Sequence, residues 1–398
     1  MPTQSRLSPD VKRLGWVSFF TDISSEMLYA VTPIFLTTVL GASAGVVGVI
    51  EGVAEATASV LKGLSGWYSD RIRNRKRFIF VGYFLSAIAK PLIAIASSWG
   101  FVLFARFLDR FGKGVRSSSR DALIADVTPK ELRGRAFGLH RAMDTAGALT
   151  GVVITLFLLE TLGDGGSQQM SLRSLYWIAF VPAILGVVLI FFVRESKSAG
   201  EQKPLSLRGK KLGAHYWLIV GISGIAYLGL SSDAFLILKA KDIGLTLPQV
   251  LIGYIAFNAV YSLAAYPIGK LSDRIRMEYL LCAGLLIYAV VYYGFASAET
   301  RTVVFALFIT YGLYAALTDG VVRALIANVV AADVKATALG LFSMITGLLA
   351  LCASLLAGWL WDNISSDAPF YLGAILSLAA AFGFAALSLQ RRPKHDQA

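Results

Sequence analysis

Residues 66–73 read Gly66-Trp67-Tyr68-Ser69-Asp70-Arg71-Ile72-Arg73, and residues 269–276 read Gly269-Lys270-Leu271-Ser272-Asp273-Arg274-Ile275-Arg276. The offset is 203 residues. A second pair, Ala122-Leu123-Ile124-Ala125-Asp126-Val127 and Ala324-Leu325-Ile326-Ala327-Asn328-Val329, is 202 residues apart, and Gly138 and Gly340 share that spacing. Separate blocks at nearly one offset mark a chain built from two copies of one unit.

What lies between the blocks decides what the unit is. Of 398 residues, 56% are hydrophobic and only 16% charged, with 37 glycines besides. Mean hydropathy is +0.65. A soluble domain carries roughly 25% charged residues, and one this apolar would expose patches that soluble monomers avoid. The composition excludes disorder, collagen-like repeats and a disulfide scaffold. A helical span needs about 20 apolar residues. Twelve such segments are predicted: 14–40, 45–68, 78–97, 100–121, 134–160, 173–194, 215–239, 247–268, 278–297, 302–325, 335–361 and 369–390. The reading is an all-α membrane protein with twelve transmembrane helices in two six-helix bundles, residues 1–194 and 215–398, joined by a Ser/Lys/Gly-rich linker at 195–214. Such parallel repeats place a substrate site between them near the membrane midplane.

The fourth segment fails a hydropathy window, because it holds Arg106, Asp109, Arg110, Lys113 and Arg116. At helical periodicity, positions 106, 109, 110, 113, 116, 117 and 120 share one face of ~120°. Phe107, Leu108, Phe111 and Val115 fall opposite. The segment therefore reads as a span with one polar stripe.

Net charge is +12, from 37 Lys and Arg against 25 Asp and Glu. The surplus is confined to alternate loops. Arg71, Arg73, Arg75, Lys76 and Arg77 follow the second segment, Arg194, Lys197, Lys203, Arg208, Lys210 and Lys211 the sixth, and Arg391, Arg392 and Lys394 the last. The odd-numbered loops on the other side hold only Arg173, Lys239, Lys241 and Arg301 between them. By the positive-inside rule both termini and the long 6–7 loop are cytoplasmic, in a multi-pass protein of the cytoplasmic membrane. The basic loops meet anionic lipid, so the high pI implies no nucleic acid. Met1–Gly15 is polar and no small-residue cleavage site follows, so no removable signal peptide is expected. Cys282 and Cys352 lie in apolar runs and read as packing residues. With three histidines, no metal set is expected.

Ionisable residues within spans are functional candidates by default, since each costs at least ~2.5–3.5 kcal/mol to insert. Asp22 and Glu26 share a face of the first segment, and Glu51 and Glu55 a face of the second, with Lys62 further along it. Lys90 precedes Pro91 in the third. The fourth adds its stripe, and the fifth adds His140, Arg141 and Asp144. The second copy offers only Asp233, Asp319 and Arg323, with Asn258 at the position of Glu55. Like carboxylates in a low dielectric cannot all ionise, so one can load and release a proton. Glu26, Asp22 and Glu55 are the first choices. Asp109 is expected to pair with Arg106 or Arg110, Asp144 with Arg141, and Asp319 with Arg323. Tyr29, Phe35, Tyr254, Phe257, Tyr261, Tyr311 and Tyr314 could line a cavity or pack.

These blocks resemble the major facilitator superfamily of secondary transporters over nearly the whole chain. The 66–77 block resembles its signature Gly-x-x-x-Asp-Arg-x-Gly-Arg-[Lys/Arg], with Arg73 where the second Gly is usual. Arg106 is similar to the family's membrane-embedded Arg. Gly147-x-x-x-Gly151 resembles the antiporter motif in part, but Val152 stands where Pro is usual, which counts against antiport. The block from Asp109 to Asp126 resembles a bacterial efflux branch. The resemblance implies a cytoplasmic gate, to which Asp70, Arg71, Asp126, Arg135, Asp273 and Arg274 are assigned. Helix-end carboxylates there can accept from arginines and from free helix-start N–H groups. The alternative is a topological anchor.

No Gly-x-x-x-x-Gly-Lys-[Ser/Thr] stretch occurs, so the driving force expected is a proton gradient, with no cofactor. The partners expected are a small-molecule or ion substrate and the bilayer, with the chain a monomer. The leading reading is proton-coupled export of an organic or amphiphilic compound by alternating access. Acidic pairs would instead suit a cation, including a divalent metal. Arg106, Arg110, Lys113 and Arg141 would suit an organic anion. A lipid flippase is a further alternative. An enzyme would need a nucleophile–base pair or a metal set, and neither is found.

Overall fold

The computed structural model describes residues 7–72, 74–129, 132–163, 168–195, 212–272, 274–331 and 334–389, and their side chains apart from residues 63, 65–72, 134, 162–163, 168–171 and 336. Every regular element among them is helical. The chain divides into two compact units, Met1–Ser206 and Leu207–Ala398.

The first unit contains α1 (Pro9–Tyr29), α2 (Val31–Thr38), α3 (Ala44–Ile72), α4 (Arg75–Ala94), α5 (Trp99–Asp126), α6 (Arg133–Gly163) and α7 (Gln168–Phe191). The second contains α8 (Ala214–Gly229), α9 (Ala234–Asp242), α10 (Leu247–Ser272), α11 (Met277–Ser297), α12 (Arg301–Val329), α13 (Lys335–Asn363) and α14 (Ala368–Leu389). Two predicted spans are therefore each split into two helices. The first breaks at Ala30, just before Pro33, and the seventh breaks over Leu230–Asp233. Counted as spans, α1–α2 and α8–α9 give six per unit.

Among the described residues, ten spans are long and apolar enough to cross a membrane. The α1–α2 pair and α5 fall short, because Asp10, Lys12, Arg13, Asp22 and Glu26 sit on the former and the charged stripe on the latter. Most helices extend a few residues past the predicted segments. Ser8 at the start of α1 accepts from the Asp10 N–H at 3.3 Å, with Pro9 at the first helical position.

The duplication is visible in packing. In the first unit α1 packs on α6 and α7, α5 on α3 and α4, and α4 on α7. In the second, α8 packs on α13 and α14, α12 on α10 and α11, and α11 on α14. The same span pairs meet in both copies.

Close approach of α6 to α1 depends on small residues. A Cβ at Gly147 or Gly151 would collide with the carbonyls of Phe19 and Ile23. One turn on, Thr155 Oγ1 donates to the Met27 carbonyl at 3.0 Å. The Gly147-x-x-x-Gly151 motif thus lets two backbones touch, as small-residue stripes do in membranes.

Candidate functional site

The polar stripe of α5 is turned inward. Arg106, Arg110 and Arg116 are buried, while Phe104 and Phe107 face outward. Val115, expected on the apolar side, is also buried.

The first link of a charge ladder joins α3 to α5. Arg106 Nη2 donates to both carboxylate oxygens of Glu51, at 2.5 and 2.6 Å. Arg106 Nη1 lies 3.9 Å from Asp109 Oδ2. Lys90 on α4 completes the ladder, its Nζ donating to Asp109 Oδ1 at 2.9 Å. Asp109 was expected to pair with Arg106 or Arg110, yet its nearest cation is Lys90. A partner on another helix reached it first, because α4 and α5 approach closely at Gly82 and Gly112. Below the ladder, Arg116 donates to Ser86 Oγ at 2.5 Å, its guanidinium 4.3 Å from the Tyr83 ring centre. Ser86 donates on to the Asp109 carbonyl at 3.0 Å.

This ladder forms one wall of a cavity lined by residues of the first unit alone. Asp22, Glu26 and Tyr29 line it from α1, Thr32 from α2, Lys90 from α4, and Arg106, Asp109, Arg110, Lys113 and Arg116 from α5. Tyr176 closes it from α7 and donates to Thr32 Oγ1 at 3.0 Å. Four predicted residues of the first unit stand apart. Glu51 lies behind Arg106, outside the lining. Glu55 is exposed. Arg141 is exposed on α6, and Asp144 pairs with His140 (Nδ1–Oδ2 3.5 Å) where Arg141 was expected. Both His140 and Arg141 lie one helical turn from Asp144, but His140 is buried and makes the contact, while Arg141 is exposed.

At the start of α4 the Arg75 and Lys76 N–H groups donate to Glu195 Oε1 and Oε2, at 3.1 and 2.8 Å. Lys76 Nζ donates to the last carbonyls of α7 through Phe191 O at 2.9 Å. Asp126 at the end of α5 pairs with Arg75 at 2.8 Å. Arg75 and Glu195 were absent from the predicted set. Basic loops drew attention as a group, and a lone carboxylate beside a linker gave no pattern. Arg135 and Arg274 are exposed. The side chains of Asp70, Arg71 and Asp273 lie outside the described residues.

The second unit is polar in a different way. Tyr311 on α12 donates to Asp233 Oδ1 at 2.7 Å, at the break between α8 and α9. Behind it rings collect: Tyr288 and Tyr292 stack at 4.0 Å, Tyr314 lies 4.7 Å from Tyr288, and Phe257 lies 5.1 Å from Tyr311. Tyr288 and Tyr292 were overlooked, although their four-residue spacing put them on one face of α11. Asn258 donates to its own helix at Tyr254 O, 2.9 Å. Asp319 accepts from Tyr261 at 3.4 Å. Cys282 is half-buried and Cys352 exposed on α13, and both are free thiols.

The family model for the Major Facilitator Superfamily matches residues 14–238 and 217–398. An uncharacterized MFS-type transporter of Methanocaldococcus jannaschii is 36% identical over 94% of this chain and 93% of its own. The inner membrane transport protein YajR of Escherichia coli is 25% identical over 94% of this chain and 82% of its own. Among solved structures, the nucleoside transporter NupG superposes with a TM-score of 0.77, covering 96% of this chain and all of its own, at 14% identity. A duplicated six-span unit, a charged stripe on the fourth span and matches spanning both copies have one common explanation: this chain belongs to the major facilitator superfamily of membrane transporters.

Proposed function

We propose that the protein is a proton-coupled secondary transporter that moves a small organic solute across the cytoplasmic membrane by alternating access. Asp22 is the carboxylate that loads and releases the proton, with Glu26 beside it. One observation carries this reading. Asp109 and Glu51 are each held by a cation, whereas Asp22 lines the same cavity without an ion pair among the described residues. A carboxylate clamped by Lys or Arg stays ionised, and one facing a cavity without a clamp can exchange its proton. Outward movement is supported by the resemblance of the 109–126 block to efflux proteins. A cytoplasmic-membrane location with both termini inside is supported by the Lys/Arg bias of the loops. Asp126, Arg75 and Glu195 form the first unit's share of the cytoplasmic gate.

The test begins with a thermal-shift panel that identifies a stabilising solute. Its flux into proteoliposomes is then followed under an imposed pH gradient. Wild type responds to the gradient, and Asp22→Asn binds the solute but does not. An Asp22→Asn protein that still responds as wild type overturns the proton assignment.

A further inference from the structure

Arg110 is more than nine-tenths buried, lines the cavity of the first unit, and makes no hydrogen bond or ion pair among the described residues. Its buried Nε has no acceptor. Its neighbours on α5 are all engaged or exposed: Arg106 holds Glu51, Arg116 holds Ser86 and the Tyr83 ring, and Lys113 is exposed. The two carboxylates nearest in the ladder already have cations. An unpaired guanidinium inside a membrane span is costly, so a reason for keeping it is needed.

Packing does not supply that reason. At the 202-residue offset that relates α5 to α12, Arg110 corresponds to Gly312. There the second copy builds the same helix with the backbone packed directly on Phe257 and Val260. The fold therefore makes this span without any side chain at the position.

We propose that Arg110 is the docking point for the acid group of an organic anion, whose apolar body lies against Leu28, Tyr29 and Ile93 in the same cavity. A guanidinium fork matches a carboxylate through two parallel hydrogen bonds, which a lysine cannot offer. The inference rests on the transport reading above and names its substrate class. It also fixes the sense of coupling. Neutralising Asp22 with a proton removes a negative charge from the cavity that receives the anion, so proton and anion bind together and travel together. Outward movement is then driven by accumulation of the anion inside.

Three probes of one size and different charge test it: benzoate, benzyl alcohol and benzamidinium, added to the purified full chain in detergent. Benzoate is expected to raise the melting temperature and the other two to leave it unchanged. By calorimetry, benzoate affinity is expected to fall about 10–100-fold in Arg110→Gln and less in Arg110→Lys. Stabilisation by benzamidinium equal to that by benzoate, absence of any benzoate effect, or an unchanged affinity in both folded variants each overturns the proposal. Wild type alone decides the first two outcomes, so a variant that fails to fold does not rescue it. Asp22→Asn separates this inference from the reading it rests on. An affinity for benzoate at or above wild type supports co-binding. A lower affinity overturns the coupling by Asp22 while leaving Arg110 as the anion site.

Discussion

Glu51 and Arg106 are 55 residues apart in sequence and meet within hydrogen-bond distance between α3 and α5. Both are buried, so each is tolerable only because the other is there. Glu51→Gln leaves a buried guanidinium without its counter-charge and is expected to cost about 3–5 kcal/mol, read as a fall in melting temperature. The double variant Glu51→Leu with Arg106→Met removes both charges and is expected to recover much of the loss. A double-mutant cycle measures the coupling, and additive single losses would show that the pair contributes little. The sequence marked both residues as intramembrane charges but not as partners. Their pairing depends on the rotation of one helix against another, which periodicity along a single helix does not contain. The same limit hid part of the surroundings of Asp109: the expected pair with Arg106 is present, while Lys90, 19 residues away on α4, is the closer cation.

Elements were easier to read than pairs. The twelve apolar segments and the inward face of α5 follow from length and period alone. The breaks at Ala30 and at Leu230–Asp233 were not foreseen, although Pro33 beside the first and Ser231-Ser232-Asp233 within the second were the local signals for them. The close contact of α6 with α1 is a property of whole elements, and it gives a contrast within one helix. Gly151→Leu is expected to force the helices apart and destabilise the protein by about 1–3 kcal/mol or more. Gly138→Ala, where an added Cβ meets nothing within 4 Å, is expected to be neutral or to stabilise by up to about 1 kcal/mol through helix propensity. Melting curves of the two variants make the comparison, and equal losses would refute the packing account. At the start of α4, Glu195→Ala strips the acceptor from two helix-start N–H groups. It is expected to cost about 1 kcal/mol and to speed amide exchange at Arg75 and Lys76. Unchanged exchange there would show that the cap is dispensable.

For the whole molecule, the charge of the loops predicts its orientation. In a background lacking Cys282 and Cys352, Ser198→Cys in the linker is expected to be labelled by an impermeant thiol reagent only from the cytoplasmic side, and Arg301→Cys at the start of α12 only from the opposite side. The reverse pattern would invert the topology. Within each unit the helices pair alike, yet matching positions of α5 and α12 have parted company. Arg106 answers to Phe308, Asp109 to Tyr311, Gly112 to Tyr314 and Arg116 to Thr318. One copy kept a span whose partners must be complementary in sign, and the other a span that packs mainly by shape apart from the Tyr311–Asp233 hydrogen bond. The two halves therefore face different constraints as they drift. A ring in the second that donates no hydrogen bond, such as Phe308, can be exchanged for another ring at small cost. A charge in the first can change only if its partner changes with it, so substitutions there should arrive in pairs.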